Sequence, residues 1–167
     1  MMALTGRVWK FGDEINTDII IPARFCGLSP AEFKTHIMEP IRPGFYSQVE
    51  PGDVIFGGKA FGMGSSRGHA VVALQEAGIK AIVACSFARI FYRSSINEGL
   101  AVIECPNAYQ ATDEGDVVQI DVLSGRIANE TKGQQFSFPP FPELVHKIIA
   151  AGGGVAYYRK QLRARPA

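Results

Sequence analysis

Between residues 53 and 103, short apolar runs alternate with stretches of helical spacing, and that alternation constrains the fold more than any other feature of the chain. Asp53-Val54-Ile55-Phe56 reads as a strand ending at Gly57-Gly58. His69 to Ala77 has helical spacing with a stop at Gly78, Ala81-Ile82-Val83-Ala84 is an apolar strand, and Phe87 to Asn97 is a second helix stopped by Gly99. Leu100-Ala101-Val102-Ile103 is the next strand. Strand, loop, helix, strand, helix in this order calls for helices laid on a sheet, because each element has an apolar face to bury against another. The expected class is α/β, with helices flanking a mixed sheet or open barrel.

The flanks fit that scheme. Gly6-Arg7-Val8-Trp9-Lys10-Phe11 alternates like a half-buried strand and ends at the turn-prone Gly12-Asp13, and Thr17-Asp18-Ile19-Ile20-Ile21 reads as a short buried strand stopped by Pro22. Ser29-Pro30-Ala31-Glu32 has the signature of a capped helix start, and that helix is expected to reach about Met38. A proline-rich loop follows from Pro40 to Pro51. Asp116 to Val122 alternates before a hairpin signal at Ser124-Gly125, with a return arm from Arg126 to Thr131 and a further run at Gln135 to Phe138. A last helical region opens at Pro142-Glu143, breaks at Gly152-Gly153-Gly154 and resumes from Val155 to Arg163. With 167 residues, the chain has room for one proper core, so residues 1–167 are expected to form a single domain.

Composition narrows the class of function. A chain that is 47% hydrophobic and 20% charged belongs with soluble globular proteins. The net charge of +1 leaves no broad footprint for nucleic acid, and the basic cluster from Arg159 to Arg165 reads as a solvated helix end. No apolar run approaches 18 residues and Met1 to Lys10 lacks the pattern of a leader, so no membrane association and a cytoplasmic location are expected. Cys26, Cys85 and Cys105 are odd in number and widely spaced, which suits free thiols rather than disulfides or a cysteine metal knuckle.

The chemistry concentrates in Gly62-x-Gly64-Ser65-Ser66-Arg67, immediately before a helix. Backbone N–H groups of a first helical turn are unpaired and favour anions, two hydroxyls add donors, and Arg67 can clamp a carboxylate with two hydrogen bonds. The same donors would stabilise a serine alkoxide able to take a proton alpha to a carboxylate. A glycine-rich turn that only caps its helix accounts for these residues equally well. The spacing matches neither a dinucleotide fingerprint nor a phosphate-binding P-loop.

Gly64-Ser65-Ser66-Arg67-x-His69-Ala70, followed by Ser86-Phe87-Ala88-Arg89-Ile90-Phe91-Tyr92-Arg93, resembles the 3-isopropylmalate dehydratase small subunits and their aconitase relatives. Asn16-Thr17-Asp18-Ile19-Ile20-Ile21-Pro22-Ala23-Arg24-Phe25 matches a third motif of that family, in order and at the right spacing. The resemblance implies a swivelling β/β/α domain that closes over a partner. It implies Ser65 as the catalytic base, Ser66 and Arg67 as carboxylate ligands, Asp18 as an acidic neighbour of the site, and Arg24 and Arg89 as residues that reach a second carboxylate or buttress the loop. It also implies a 4Fe-4S cluster on a separate large subunit, with no metal bound by this chain. Chemistry agrees, since expelling hydroxide from a 2-hydroxy acid needs a Lewis acid and these cysteines lack cluster spacing.

Family members select substrate through the loop after the Pro-x-Arg segment, here Phe25-Cys26-Gly27-Leu28-Ser29. That loop is mostly apolar and adds no arginine, which favours a branched alkyl group over a third carboxylate. Leucine-biosynthetic isomerisation of 2- and 3-isopropylmalate is therefore expected. The alternatives are a related dehydratase acting on homoaconitate, citramalate/citraconate or dimethylmalate, and a non-catalytic anion-binding module. An isolated small subunit that self-associates is also compatible with the resemblance. Two residues depart from the family pattern: Gly68 stands in place of the usual glutamate, and Met63 in place of a small residue or cysteine. His69 is assigned a structural place at the helix start, and His36 and His146 read as packing residues of amphipathic helices.

Overall fold

The computed structural model describes residues 3–65 and 68–163. Its strands are β1 (Ala3–Lys10), β2 (Val54–Gly57), β3 (Ala81–Ala84), β4 (Ala101–Glu104), β5 (Val117–Asp121), β6 (Arg126–Asn129) and β7 (Gln134–Ser137). Its helices are α1 (Thr17–Ile20), α2 (Pro30–Phe33), α3 (His69–Glu76), α4 (Arg89–Glu98), α5 (Pro106–Ala111), α6 (Glu143–Ala150) and α7 (Gly154–Arg163). Among the described residues no helix is long and apolar enough to cross a membrane.

The strands form one mixed sheet in the order β4-β3-β2-β1-β5-β6-β7. From β1 to β4 all pairings are parallel, and from β1 through β5 and β6 to β7 all are antiparallel. β1 is the seam between the two halves, with Val8 opposite Val54 on one side and Leu4 opposite Ile120 on the other. Gly6 is required at this seam, because a Cβ there would lie 2.0 Å from the Gly52 carbonyl oxygen.

The burial pattern explains why these segments are strands. β2 and β3 are buried at every position, the signature of parallel strands covered on both faces, whereas β5 alternates exposed and buried. Trp9, Ile55, Ile82 and Val102 join one core with Val71 and Leu74 of α3 and Phe91 of α4. Val8, Val54, Phe56, Val83 and Ile103 join the other with Ile120, Ile127, Ala108 of α5 and Ile149 of α6. Neighbouring strand residues thus feed opposite cores, as a period of two demands.

The structure corrects two expectations about local elements. Thr17 to Ile21 is not a strand, since Thr17–Ile20 form α1, where the Asn16 side chain accepts from the Ile19 N–H at 2.9 Å and the Asn16 carbonyl from the Ile20 N–H at 3.0 Å. Side-chain capping at the first turn overrides the β-branched run. The helix expected from residue 30 to about Met38 stops at Phe33, continues as a 3-10 turn from Lys34 to His36, and ends where Met38 turns to φ +55. Met38 is fully buried and its N–H bonds to the Ile20 carbonyl, so tertiary packing cuts the helix short. The capping pair at its start is present, with the Glu32 carboxylate accepting from the Ser29 N–H at 3.0 Å. α5, opened by Pro106 after Cys105, and the 3-10 turn Phe45–Gln48 add elements that the sequence pattern does not announce.

Candidate functional site

The loop after β2 is held from both sides. On one flank the Gly62 N–H donates to the Ile15 carbonyl at 2.7 Å, the Thr17 N–H to the Met63 carbonyl at 2.7 Å, and Asn16 and Met63 pair as an isolated parallel bridge. On the other the Phe61 N–H donates to the Ser86 carbonyl and the Ala88 N–H to the Phe61 carbonyl, with Phe61 and Phe87 bridged in parallel. Gly62 at φ +81 packs so closely that a Cβ would meet the Phe91 ring at 2.1 Å. Gly64, at φ +111, would place a Cβ 2.8 Å from Thr17 Oγ1. Two glycines therefore bring the chain past α4 and α1 and deliver Ser65, exposed, beside the start of α3.

Thr17 Oγ1 accepts a hydrogen bond from the Ser65 N–H at 2.9 Å, which fixes the serine's backbone against α1. Thr17, Asp18, Ile21, Ala23, Cys26, Ser65, His69 and Ala70 enclose a cavity of about 30 Å³. That is room for a group the size of one water or one carboxylate oxygen pair, and far too little for a whole diacid. His69 also borders a second, apolar cavity of about 370 Å³, whose other walls are Leu28, Pro30, Phe33, Gly68 and Val72. A small polar recess and a larger apolar one therefore meet at His69.

Of the residues singled out in the sequence, Ser65, Asp18 and Cys26 are brought together in the polar recess. Ser66 and Arg67 lie outside the described residues. Arg24 points elsewhere: its guanidinium sits 3.7 Å from the Glu39 carboxylate and 4.5 Å from the Phe25 ring centre. The loop from Phe25 to Leu28 divides, Phe25 stacking on His36 at 3.7 Å, Cys26 facing the polar recess, Gly27 open to solvent, and Leu28 lining the apolar cavity. Arg89 belongs to a different groove, with Arg93, Tyr92 and the Phe138–Pro142 segment. Among the described residues, a Cβ added at Gly68 would come nearest to Glu98 Oε1, at 3.8 Å.

Sequence reasoning missed Thr17 as a support and set His69 aside. Asn16-Thr17-Asp18 does carry the pattern of an N-cap followed by a first-turn acid, which would have marked Thr17 as a helix-start residue. The cysteines do not assemble into a cluster site. Cys85 and Cys105 sit at the ends of β3 and β4, Cys26 lies across the sheet at the polar recess, and no three His, Cys, Asp or Glu side chains converge among the described residues. Burial pushes the Cys85 thiol above its ordinary range, which suits a packing residue rather than a thiolate ligand.

The aconitase C-terminal domain family matches residues 35–108. A 3-isopropylmalate dehydratase small subunit from Thermodesulfovibrio yellowstonii is 48% identical over 162 residues, 96% of each chain. A 2,3-dimethylmalate dehydratase small subunit from Eubacterium barkeri is 47% identical over 93% of this chain and 96% of its own. The crystal structure of a 3-isopropylmalate dehydratase from Methanocaldococcus jannaschii superposes with a TM-score of 0.90 at 42% identity, covering 97% of this chain and 96% of that one. Agreement of this extent in sequence and in backbone, over nearly the whole of each chain, makes the protein a member of the 3-isopropylmalate dehydratase small-subunit family, built on the aconitase C-terminal fold.

Proposed function

We propose that the chain is the small subunit of a hydro-lyase that isomerises 2- and 3-isopropylmalate by dehydration and rehydration, and that it works only with an iron-sulfur large subunit. The observation that carries this reading is the convergence of Ser65 and Asp18 on a recess of about 30 Å³, which accommodates one end of a diacid and leaves the rest to be enclosed by a second chain. Family membership supports both the reaction class and the partner.

In this reading Ser65 Oγ takes the proton alpha to a carboxylate and returns it on rehydration, while Ser66 and Arg67 hold that carboxylate. The bond from Thr17 to the Ser65 N–H keeps the serine in register. Asp18 adds a negative charge beside the serine that strengthens its alkoxide as a base and favours uptake of the proton. Arg24 is kept in reserve on Glu39 for a second carboxylate, and Phe25 to Leu28 read the alkyl branch. A 4Fe-4S cluster on the large subunit supplies the Lewis acid for the departing hydroxide. The whole chain, 1–167, acts as one swivel unit in the cytoplasm.

The test is co-expression with the large subunit, anaerobic cluster reconstitution, and an ultraviolet assay of the alkene with 3-isopropylmalate, 2,3-dimethylmalate, citramalate and homoaconitate. Isopropylmalate turnover is expected from the pair and none from the small subunit alone. Ser65→Ala should lower kcat by roughly 10²- to 10⁴-fold, the usual worth of a positioned proton acceptor. Full activity in that variant would favour a non-catalytic anion-binding module, and no turnover with any of the four diacids would sink the proposal.

A further inference from the structure

Among the described residues, three other than glycine turn to positive φ: Glu14 at +57, Met38 at +55 and Ala60 at +55. Glu14 and Ala60 flank one junction, where the chain leaves β2 for the serine loop. There the Glu14 N–H donates to the Lys59 carbonyl at 2.7 Å, and the Lys59 N–H donates to Asp13 Oδ1 at 2.7 Å. Left-handed backbone is unfavourable for a residue with a Cβ and persists only where its surroundings enforce it, which happens most often beside functional sites. At Ala60 the enforcement comes from a single residue beyond the end of β3. Ser86 Oγ accepts from the Ala60 N–H at 2.9 Å, and the Ser86 carbonyl accepts from the Phe61 N–H at 3.0 Å.

We propose that Ser86 is a positioning residue for Ser65, resting on the reaction assigned above: its hydroxyl holds Ala60 in the left-handed turn and so sets the direction in which residues 60–65 run. It touches neither substrate nor cluster. Thr17 fixes the far end of the loop through the Ser65 N–H, and Ser86 fixes the near end. Phe61 between them has no freedom to absorb a change at Ala60, because its side chain is fully buried and edge-on to both Phe87 and Phe91. A rotation at Ala60 is therefore taken up by the glycines that follow, at 62 and 64, and the second of these immediately precedes Ser65. A proton acceptor displaced in this way loses the alignment on which its rate depends.

Kinetics of the reconstituted pair and amide exchange in the small subunit test the role separately. Ser86→Ala should lower kcat for 3-isopropylmalate by roughly tenfold with KM little changed, and Ser86→Thr, which keeps the hydroxyl, should stay near wild type. Ala60→Gly removes the need for enforcement, since glycine adopts positive φ freely. By itself it should be nearly silent, and combined with Ser86→Ala it should recover most of the lost kcat. A hydroxyl that only adds stability predicts a lower thermal midpoint at wild-type kcat, or a double variant worse than Ser86→Ala, and either result overturns the inference. In the small subunit alone, Ser86→Ala should speed hydrogen exchange at the Ser65 amide as well as at Ala60. Acceleration confined to Ala60 overturns the inference even where the variant does not assemble with its partner. A wild-type pair inert toward every diacid, or full activity in Ser65→Ala, removes the reaction assignment instead, and the exchange rates still decide whether Ser86 positions Ser65.

Discussion

Thr17 does two jobs with one side chain and its own backbone. Its N–H holds the Met63 carbonyl and its hydroxyl accepts from the Ser65 N–H, so the loop is tied at two successive points to the start of α1. Replacing it with valine keeps the shape and leaves the Ser65 N–H without its acceptor. Thr17→Val should cost about 1–2 kcal/mol of stability and lower kcat of the assembled enzyme, with Thr17→Ser close to wild type. Denaturant midpoints and steady-state kinetics on the three proteins check both arms. Gly62 gives a cleaner steric experiment, because Gly152 shares its φ of +81 and has nothing within 4 Å of an added methyl, while a methyl at Gly62 strikes the Phe91 ring. Gly152→Ala should cost about 1 kcal/mol for the backbone alone, and Gly62→Ala about 3 kcal/mol or more once the collision is added. Similar costs for the two would show that Phe91 yields freely.

Among the elements, the hairpin end of the sheet is held by a buried carboxylate that stabilises it in the charged form. The Asp116 carboxylate is buried, accepts from Asn129 Nδ2 at 2.7 Å and from the Asp113 N–H at 2.9 Å, and lies 3.4 Å from Lys132 Nζ. Burial pulls its pKa upward, yet these donors outweigh burial and hold it below the ordinary 3.8. A depressed folded-state value means that the stabilisation is complete above the ordinary pKa and is lost as the pH falls through the folded one. Wild type should lose stability toward pH 3, whereas Asp116→Asn should be weaker by about 1 kcal/mol at pH 7 and flatter in acid. Urea midpoints across that range measure both. The elements also show which parts of the fold were legible in the sequence. β2, β3 and the Ser124-Gly125 hairpin announce themselves because local pattern and final environment agree: apolar runs buried on two faces, and a glycine at φ +67 in the turn. α1 does not, because an isoleucine triplet after an aspartate favours extension locally and becomes helical through the Asn16 cap and the pairing of Asn16 with Met63. The site divides in the same way. Gly62, Gly64 and Ser65 stand out in the local motif, while the tie from Thr17 to Ser65 and the place of His69 beside two cavities depend on contacts between residues far apart in the chain, which no local pattern encodes.

For the whole molecule, the shared sheet couples its two cores. Trp9, the sole tryptophan, is 5% exposed and packs on one face, while its neighbour Val8 packs on the other. If the chain is one cooperative unit, loss of tryptophan burial and loss of far-ultraviolet ellipticity must follow the same urea curve. Two separated midpoints would divide the parallel half from the antiparallel half. The position of β1 also bears on how the protein is made. The strand synthesised first occupies the middle of the finished sheet, and its outer edge waits for Val117 to Asp121. At ~5–20 residues per second of translation that edge stays bare on the order of ten seconds. A ribosome that pauses before residue 117 therefore holds the nascent chain in its most adhesive form, with an open row of backbone donors and acceptors that another nascent chain could capture.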